Sequence, residues 1–242
     1  MSQEPEQQPI VNDDEPSVCL EDESSEATHA MMAEAGVEPS DVQPDMDTPA
    51  LAPDATHADV FIQAGHFNHH SWDGNTGATG PQGAEIDWTP VIRNKAAEIL
   101  NEHGVSVIKS DASIKGSHTK FHVALAVFLH FDGTDNPNAG GASVGYNDDS
   151  DAPAASAWKT LYREFYPFGW HSDNYTVNLR SYYGYANTVT SDSEFVIEFG
   201  TLSNPVEAKW LKPRLEWLGK LLAHYLSKRL DKGDVPHPGA FS

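Results

Sequence analysis

The run Val123-Ala124-Leu125-Ala126-Val127-Phe128-Leu129 decides the fold. Seven apolar residues in succession, ending in strong β-formers, fit a central strand covered on both faces; a half-solvated strand would alternate apolar with polar. A shorter run of the same kind, Ala58-Asp59-Val60-Phe61-Ile62-Gln63-Ala64, stops at Gly65 and reads as a buried strand entering a tight turn. Residues 67 to 87 follow as a Gly-rich loop. Thr89 and Pro90 fit the N-cap and first residue of a helix bearing Val91, Ile92, Ala96, Ile99 and Leu100, which Gly104 stops. Residues 105 to 108 read as the next strand. Downstream, residues 143 to 146 and 194 to 198 read as strands and 154 to 165 as a helix. Residues 206 to 230 carry Leu and Trp at helical spacing, with Pro213 kinking or splitting them. Strands alternating with helices predict an α/β domain with a largely parallel, mixed central sheet flanked by helices.

Charge divides the chain in two. Of the formal net charge of −21 on 242 residues, residues 1 to 54 carry −15 and the rest −6, and the first basic residue is Arg93. The 6 Trp, 8 Tyr and 10 Phe all lie at Phe61 or beyond. A segment without aromatics or cations cannot bury enough apolar surface to offset its ordering entropy. The expected organisation is a disordered acidic leader over 1–56, a folded domain over 57–232 and a C-terminal tail over 233–242. Within the leader, residues 25 to 37 form a helix-compatible piece, weighed against a solvated tail.

Composition also excludes classes. An acidic chain with no basic stripe does not suit nucleic acid, whose affinity comes from Lys and Arg on phosphates. No run reaches the ~18 apolar residues of a membrane span. The first residues, Met1 to Ser17, have neither the basic nor the apolar region of a secretory signal, so synthesis in the cytoplasm is expected. Cys19 is the single cysteine, which leaves no disulfide framework and no thiolate metal site.

Three polar residues fall at or beside strand ends: His66 after the first strand, His130 after the central strand and Glu198 on the last. Glu85 closes the Gly-rich loop. Sites in open α/β sheets collect at the carboxyl ends of strands. Two imidazoles and a carboxylate are the protein ligands of a catalytic zinc, and a further carboxylate is the general base it needs. Taken singly, His66 also reads as a turn residue, His130 as a core histidine and Glu85 as a helix N-terminal charge. Glu198 closes an apolar strand, where a carboxylate without a partner is costly. His69 and His70 are competing ligands.

The turn Ala64-Gly65-His66, the loop closing on Gly83-Ala84-Glu85, the triplet Phe128-Leu129-His130 and the segment Val196-Ile197-Glu198-Phe199-Gly200 stand in one order along the chain. Leu202-Ser203-Asn204-Pro205 and Glu207 follow them. Together they resemble the zinc-dependent N-acetylmuramoyl-L-alanine amidases of the amidase 3 type, from about Asp59 to Leu230. The resemblance implies one zinc per chain on His66, Glu85 and His130, with Glu198 as the catalytic carboxylate. It implies hydrolysis of the amide between N-acetylmuramic acid and L-alanine of the peptidoglycan stem peptide. With no secretory signal in view, that would suit a monomeric phage or prophage lysin acting at the cell wall. The flanks depart from the family pattern: Phe67-Asn68-His69-His70 follows the first His, and Leu129 and Asp132 stand around the second. Those departures keep open a non-enzymatic wall-binding or virion module on the same fold. Asp132 and Asp73 are the carboxylates nominated to orient the two rings. Trp170, His171, Tyr175, Arg180, Tyr182, Tyr183 and Tyr185 are assigned to packing or to the wall of a substrate groove.

Overall fold

The computed structural model describes residues 56–68, 76–112 and 119–241. The helix-compatible piece at 25 to 37, His69, His70 and Asp73 lie outside them.

Strand β1 (Val60–Ala64) is buried at all five positions. A two-residue hairpin, β2 (Thr79–Gly80) with β3 (Gly83–Ala84), leads into helix α1 (Glu85–Glu102). Strand β4 (Val107–Asp111) follows, then the long β5 (Phe121–Asp132) and the short β6 (Ser143–Gly145). Helix α2 (Ala152–Arg163), the single-turn helix α3 (Val177–Arg180) and strand β7 (Thr188–Thr201) come next. Helices α4 (Pro205–Leu211) and α5 (Leu215–Leu230) end the succession. The sheet has five strands in the order β4-β1-β5-β7-β6; β6 runs antiparallel to β7 and the other pairs are parallel. The run that opened the sequence reading lies in β5 at the centre of this order. The α/β mixed sheet is as expected.

The two faces are unequally covered. On one, Val60, Ile62, Leu125, Val127, Leu129, Phe195, Ile197 and Phe199 pack against α1, α2 and α5 through Ile92, Leu100, Trp158, Tyr162, Leu218 and Leu222, all fully buried. Each such side chain contributes about 1.5–3 kcal/mol on leaving water. The Tyr162 hydroxyl donates to the Phe199 carbonyl at 2.9 Å and that of Tyr225 to Ala154 at 2.7 Å, so neither buried phenol lacks a partner. On the other face, Phe61, Ala126, Phe128 and Val196 meet a thinner layer containing Leu179 of α3 and Tyr185 of the 3-10 turn Tyr183–Asn187. The site lies at the carboxyl end of this thinly covered face.

Several local expectations are corrected. Helix α1 starts at Glu85, so Thr89 and Pro90 are inside it. The loop caps this helix by its backbone: Glu85 N donates to the Ala78 carbonyl (2.9 Å) and Ile86 N to that of Thr76 (3.1 Å). With those first-turn amides satisfied, no side-chain cap is needed. Thr89 instead donates its hydroxyl to the Gly65 carbonyl at 2.9 Å, pinning α1 to the end of β1. Strand β5 extends past Leu129, placing His130 within the strand rather than after it. Strand β7 begins at Thr188, six residues before the expected start at 194. Pro213 does split the last helix, at the 3-10 turn Lys212–Arg214. Beyond α5 the chain folds back: Val235 is buried and Gly239 accepts from the Trp217 indole at 3.0 Å.

Candidate metal centre

His66 follows directly on the end of β1. Gly65 N donates to the Leu129 carbonyl at 2.9 Å, and Phe67 N returns to the Gly65 carbonyl at 2.7 Å. His66 itself sits at φ 59°, in the left-handed region that side chains other than glycine seldom adopt. Such strain at a non-glycine residue is a mark of functional turns. Its ring stands edge-on to that of His130, with centroids 5.3 Å apart.

Glu85 is the first residue of α1 and is 1 % exposed. Its Oε2 accepts from Ala78 N at 2.9 Å and its Oε1 from Phe131 N at 3.0 Å. Oε2 lies 3.6 Å from His66 Nε2, and Oε1 2.9 Å from His130 Nδ1. Burial pushes this carboxyl up, but the His66 charge, the His130 hydrogen bond and charge, and the Ala78 amide together hold it below the usual carboxylate range. The backbone closes over the cluster at Gly77, φ +69°, where a Cβ would come within 2.4 Å of Glu85 Oε2 and 2.7 Å of the His66 ring. Only glycine fits there.

His130 and Glu198 are register partners on the adjacent parallel strands β5 and β7. Register partners project to the same face, with their backbones about 4.8 Å apart. Glu198 thus stands beside His130 on the thinly covered face, with Ser143 of β6 opposite its other side. The ring's second nitrogen, Nε2, is 2.9 Å from the Tyr182 hydroxyl, which in turn donates to Gln63 Oε1 at 2.6 Å. Neither Tyr182 nor Gln63 was singled out for this role in the sequence. Asp132, nominated to orient a ring, instead accepts from the Tyr175 hydroxyl and from Gly133 N (2.8 Å), and burial raises its pKa despite those bonds. Glu207 is fully buried and accepts from Thr201 N at 2.7 Å and from the Tyr166 hydroxyl. Asn204 caps α4 through Val206 N and Glu207 N. That segment is a structural clasp.

Among the described residues, His66, Glu85 and His130 form the one group of three or more such side chains able to hold a cation, their ligand atoms all within 4.8 Å of one another. Tetrahedral zinc bonded at 2.0–2.1 Å separates its ligand atoms by about 3.4 Å. Each ring lies within about that distance of one Glu85 oxygen, His130 at 2.9 Å from Oε1 and His66 at 3.6 Å from Oε2, and two imidazoles with one carboxylate suit zinc. The residues fit the ion.

No family model matches the chain, and no curated relative does. Solved structures do. The catalytic domain of CwlV, an N-acetylmuramoyl-L-alanine amidase from Bacillus (Paenibacillus) polymyxa var. colistinus, aligns with a TM-score of 0.56 at 17% identity, covering 72% of this chain and 99% of that one. The N-acetylmuramoyl-L-alanine amidase AmiC2 of Nostoc punctiforme aligns at 0.54 and 20% identity, covering 72% and 98%. The catalytic domain of the CD27L endolysin targeting Clostridia difficile aligns at 0.53 and 17%, covering 71% and 98%. The chain has the N-acetylmuramoyl-L-alanine amidase fold. On this fold the end of β1, the start of α1 and strand β5 bring His66, Glu85 and His130 together, and Glu198 of β7 is in register with His130. No helix among the described residues is long and apolar enough to cross a membrane.

Proposed function

We propose that the chain is a zinc-dependent N-acetylmuramoyl-L-alanine amidase that cleaves the bond between N-acetylmuramic acid and L-alanine in peptidoglycan. The carrying observation is the His66–Glu85–His130 cluster with Glu198 in register beside His130, on a fold shared with amidase catalytic domains. His66, Glu85 and His130 hold the ion, one per chain. Zinc so held supplies Lewis acidity toward the amide carbonyl and toward water. Glu198 takes the proton from the attacking water and passes it to the departing amine nitrogen of L-alanine, two transfers a single carboxylate can perform in turn. Glu85 stays ionised among its two amides and two imidazoles, as a ligand must. The similarity to the catalytic domain of an endolysin supports a lysin acting at the wall.

The test is mass spectrometry of material released from purified walls by the zinc-loaded chain. New L-alanine amino termini are expected. Any other new end identifies a different bond. Walls left intact by a chain that holds zinc would favour the non-enzymatic wall-binding module.

A further inference from the structure

Gln63 is a primary amide in the middle of a strand buried at every position, and it is 0% exposed. A buried amide needs partners for both ends. Its Nε2 lies 3.3 Å from the Asp111 carbonyl, which can only accept, so the amide's orientation is fixed. Oε1 therefore faces Tyr182 at 2.6 Å, and because Oε1 also only accepts, the Tyr182 hydroxyl proton belongs to it. The Tyr182 oxygen is left to accept from its other neighbour, His130 Nε2, at 2.9 Å.

We infer that Gln63 and Tyr182 form a relay that reserves the Nε2 proton of His130, so that Nδ1 is the nitrogen presented to a cation. This rests on the zinc reading above and names two positioning residues for it. Nδ1 is the atom 2.9 Å from Glu85, on the side where the ligand atoms converge. The relay is also clamped in place. The Tyr182 ring stands edge-on to His130 (centroids 5.0 Å) and tilts against Phe128 (5.1 Å). Gly184 allows this approach, since a Cβ there would lie 2.5 Å from the Tyr182 ring and 2.6 Å from that of Phe128. Asp111 is itself tied down, its carboxylate to Arg93 and Asn68. Metal-bound imidazoles are commonly fixed by a partner on the far nitrogen, and losing it typically weakens metal binding 10- to 100-fold.

The experiment uses the full chain and measures zinc affinity by competition with a chromogenic chelator. Tyr182→Phe is expected to weaken binding by about tenfold or more. Gln63→Leu is expected to do so as well, because the freed Tyr182 proton turns onto Nε2 and selects the wrong tautomer. The double variant should be no weaker than Gln63→Leu alone, since both act through one hydrogen-bond chain. Long-range 1H–15N correlation on the zinc-loaded chain should show the His130 proton on Nε2. Wild-type affinity in both single variants, or a His130 proton on Nδ1 with zinc bound, would overturn the relay. An unaltered chain that takes up no zinc would overturn both the relay and the proposed function. Zinc bound with the expected variant losses, but walls uncut, would sink the amidase reading and support the relay.

Discussion

Glu198 and Gly77 test the site from opposite directions. Replacing Glu198 with Gln keeps a side chain of the same shape beside His130 but removes the base. Zinc uptake should be unchanged while wall cleavage falls by about 10²- to 10⁴-fold, the usual contribution of general acid–base catalysis; metal analysis and a turbidity assay read the two effects. Gly77→Ala does the reverse. At φ +69° the new Cβ would press on Glu85 and His66, so zinc content should drop, with helical circular dichroism retained. Wild-type zinc in that variant would show that the loop gives way. The clustered residues His66, Glu85 and His130 were legible in the sequence because each interrupts an apolar strand end or closes a glycine-rich loop. The relay was less so. Gln63 carried a signal, an amide in an otherwise apolar run, but its partner Tyr182 is 119 residues away, and no local rule connects them.

Among the elements, β7 carries a further, partly buried carboxylate, remote in sequence from the cluster. Burial, reinforced by Asp151, pushes Glu194 up to about 7, although the Thr188 hydroxyl and Lys120 pull the other way. A carboxyl whose folded value exceeds its unfolded 4.5 holds its proton longer in the folded chain. Stability should therefore fall as pH rises from about 4.5 to about 7. In Glu194→Gln that decline should flatten, as judged by urea midpoints taken across the same range; an unchanged slope would assign it elsewhere. Helix α1 shows why element boundaries were harder to read than elements. Thr89-Pro90 satisfies the local rule for a helix start, yet the carbonyls of Thr76 and Ala78 cap the helix five residues earlier. A cap made by backbone leaves no trace in side-chain identity. Pro213, by contrast, acts through its own ring, and its effect was readable from the residue alone.

For the molecule as a whole, charge offers a test of the leader. Removing residues 1 to 54 changes the formal net charge from −21 to −6. Repulsion from anionic wall polymers should weaken accordingly, so the shortened chain should sediment with purified walls more fully than the full chain at low salt. The difference should vanish near 1 M salt, where the screening length is about 3 Å. Equal sedimentation at low salt would mean the leader has no such effect. The pairing of His130 with Glu198 has another kind of consequence. A strand can shift only in whole residues, and a shift of one would send the carboxylate to the helix-covered side. The distance between Glu198 and His130 is thus set as a count along a ladder of main-chain bonds, regular from Leu125 to His130, with its irregularities falling on either side, between Val123 and Leu125 and between His130 and Asp132. Lengthening or recomposing the surrounding loops can reshape what the site accepts while leaving that spacing untouched.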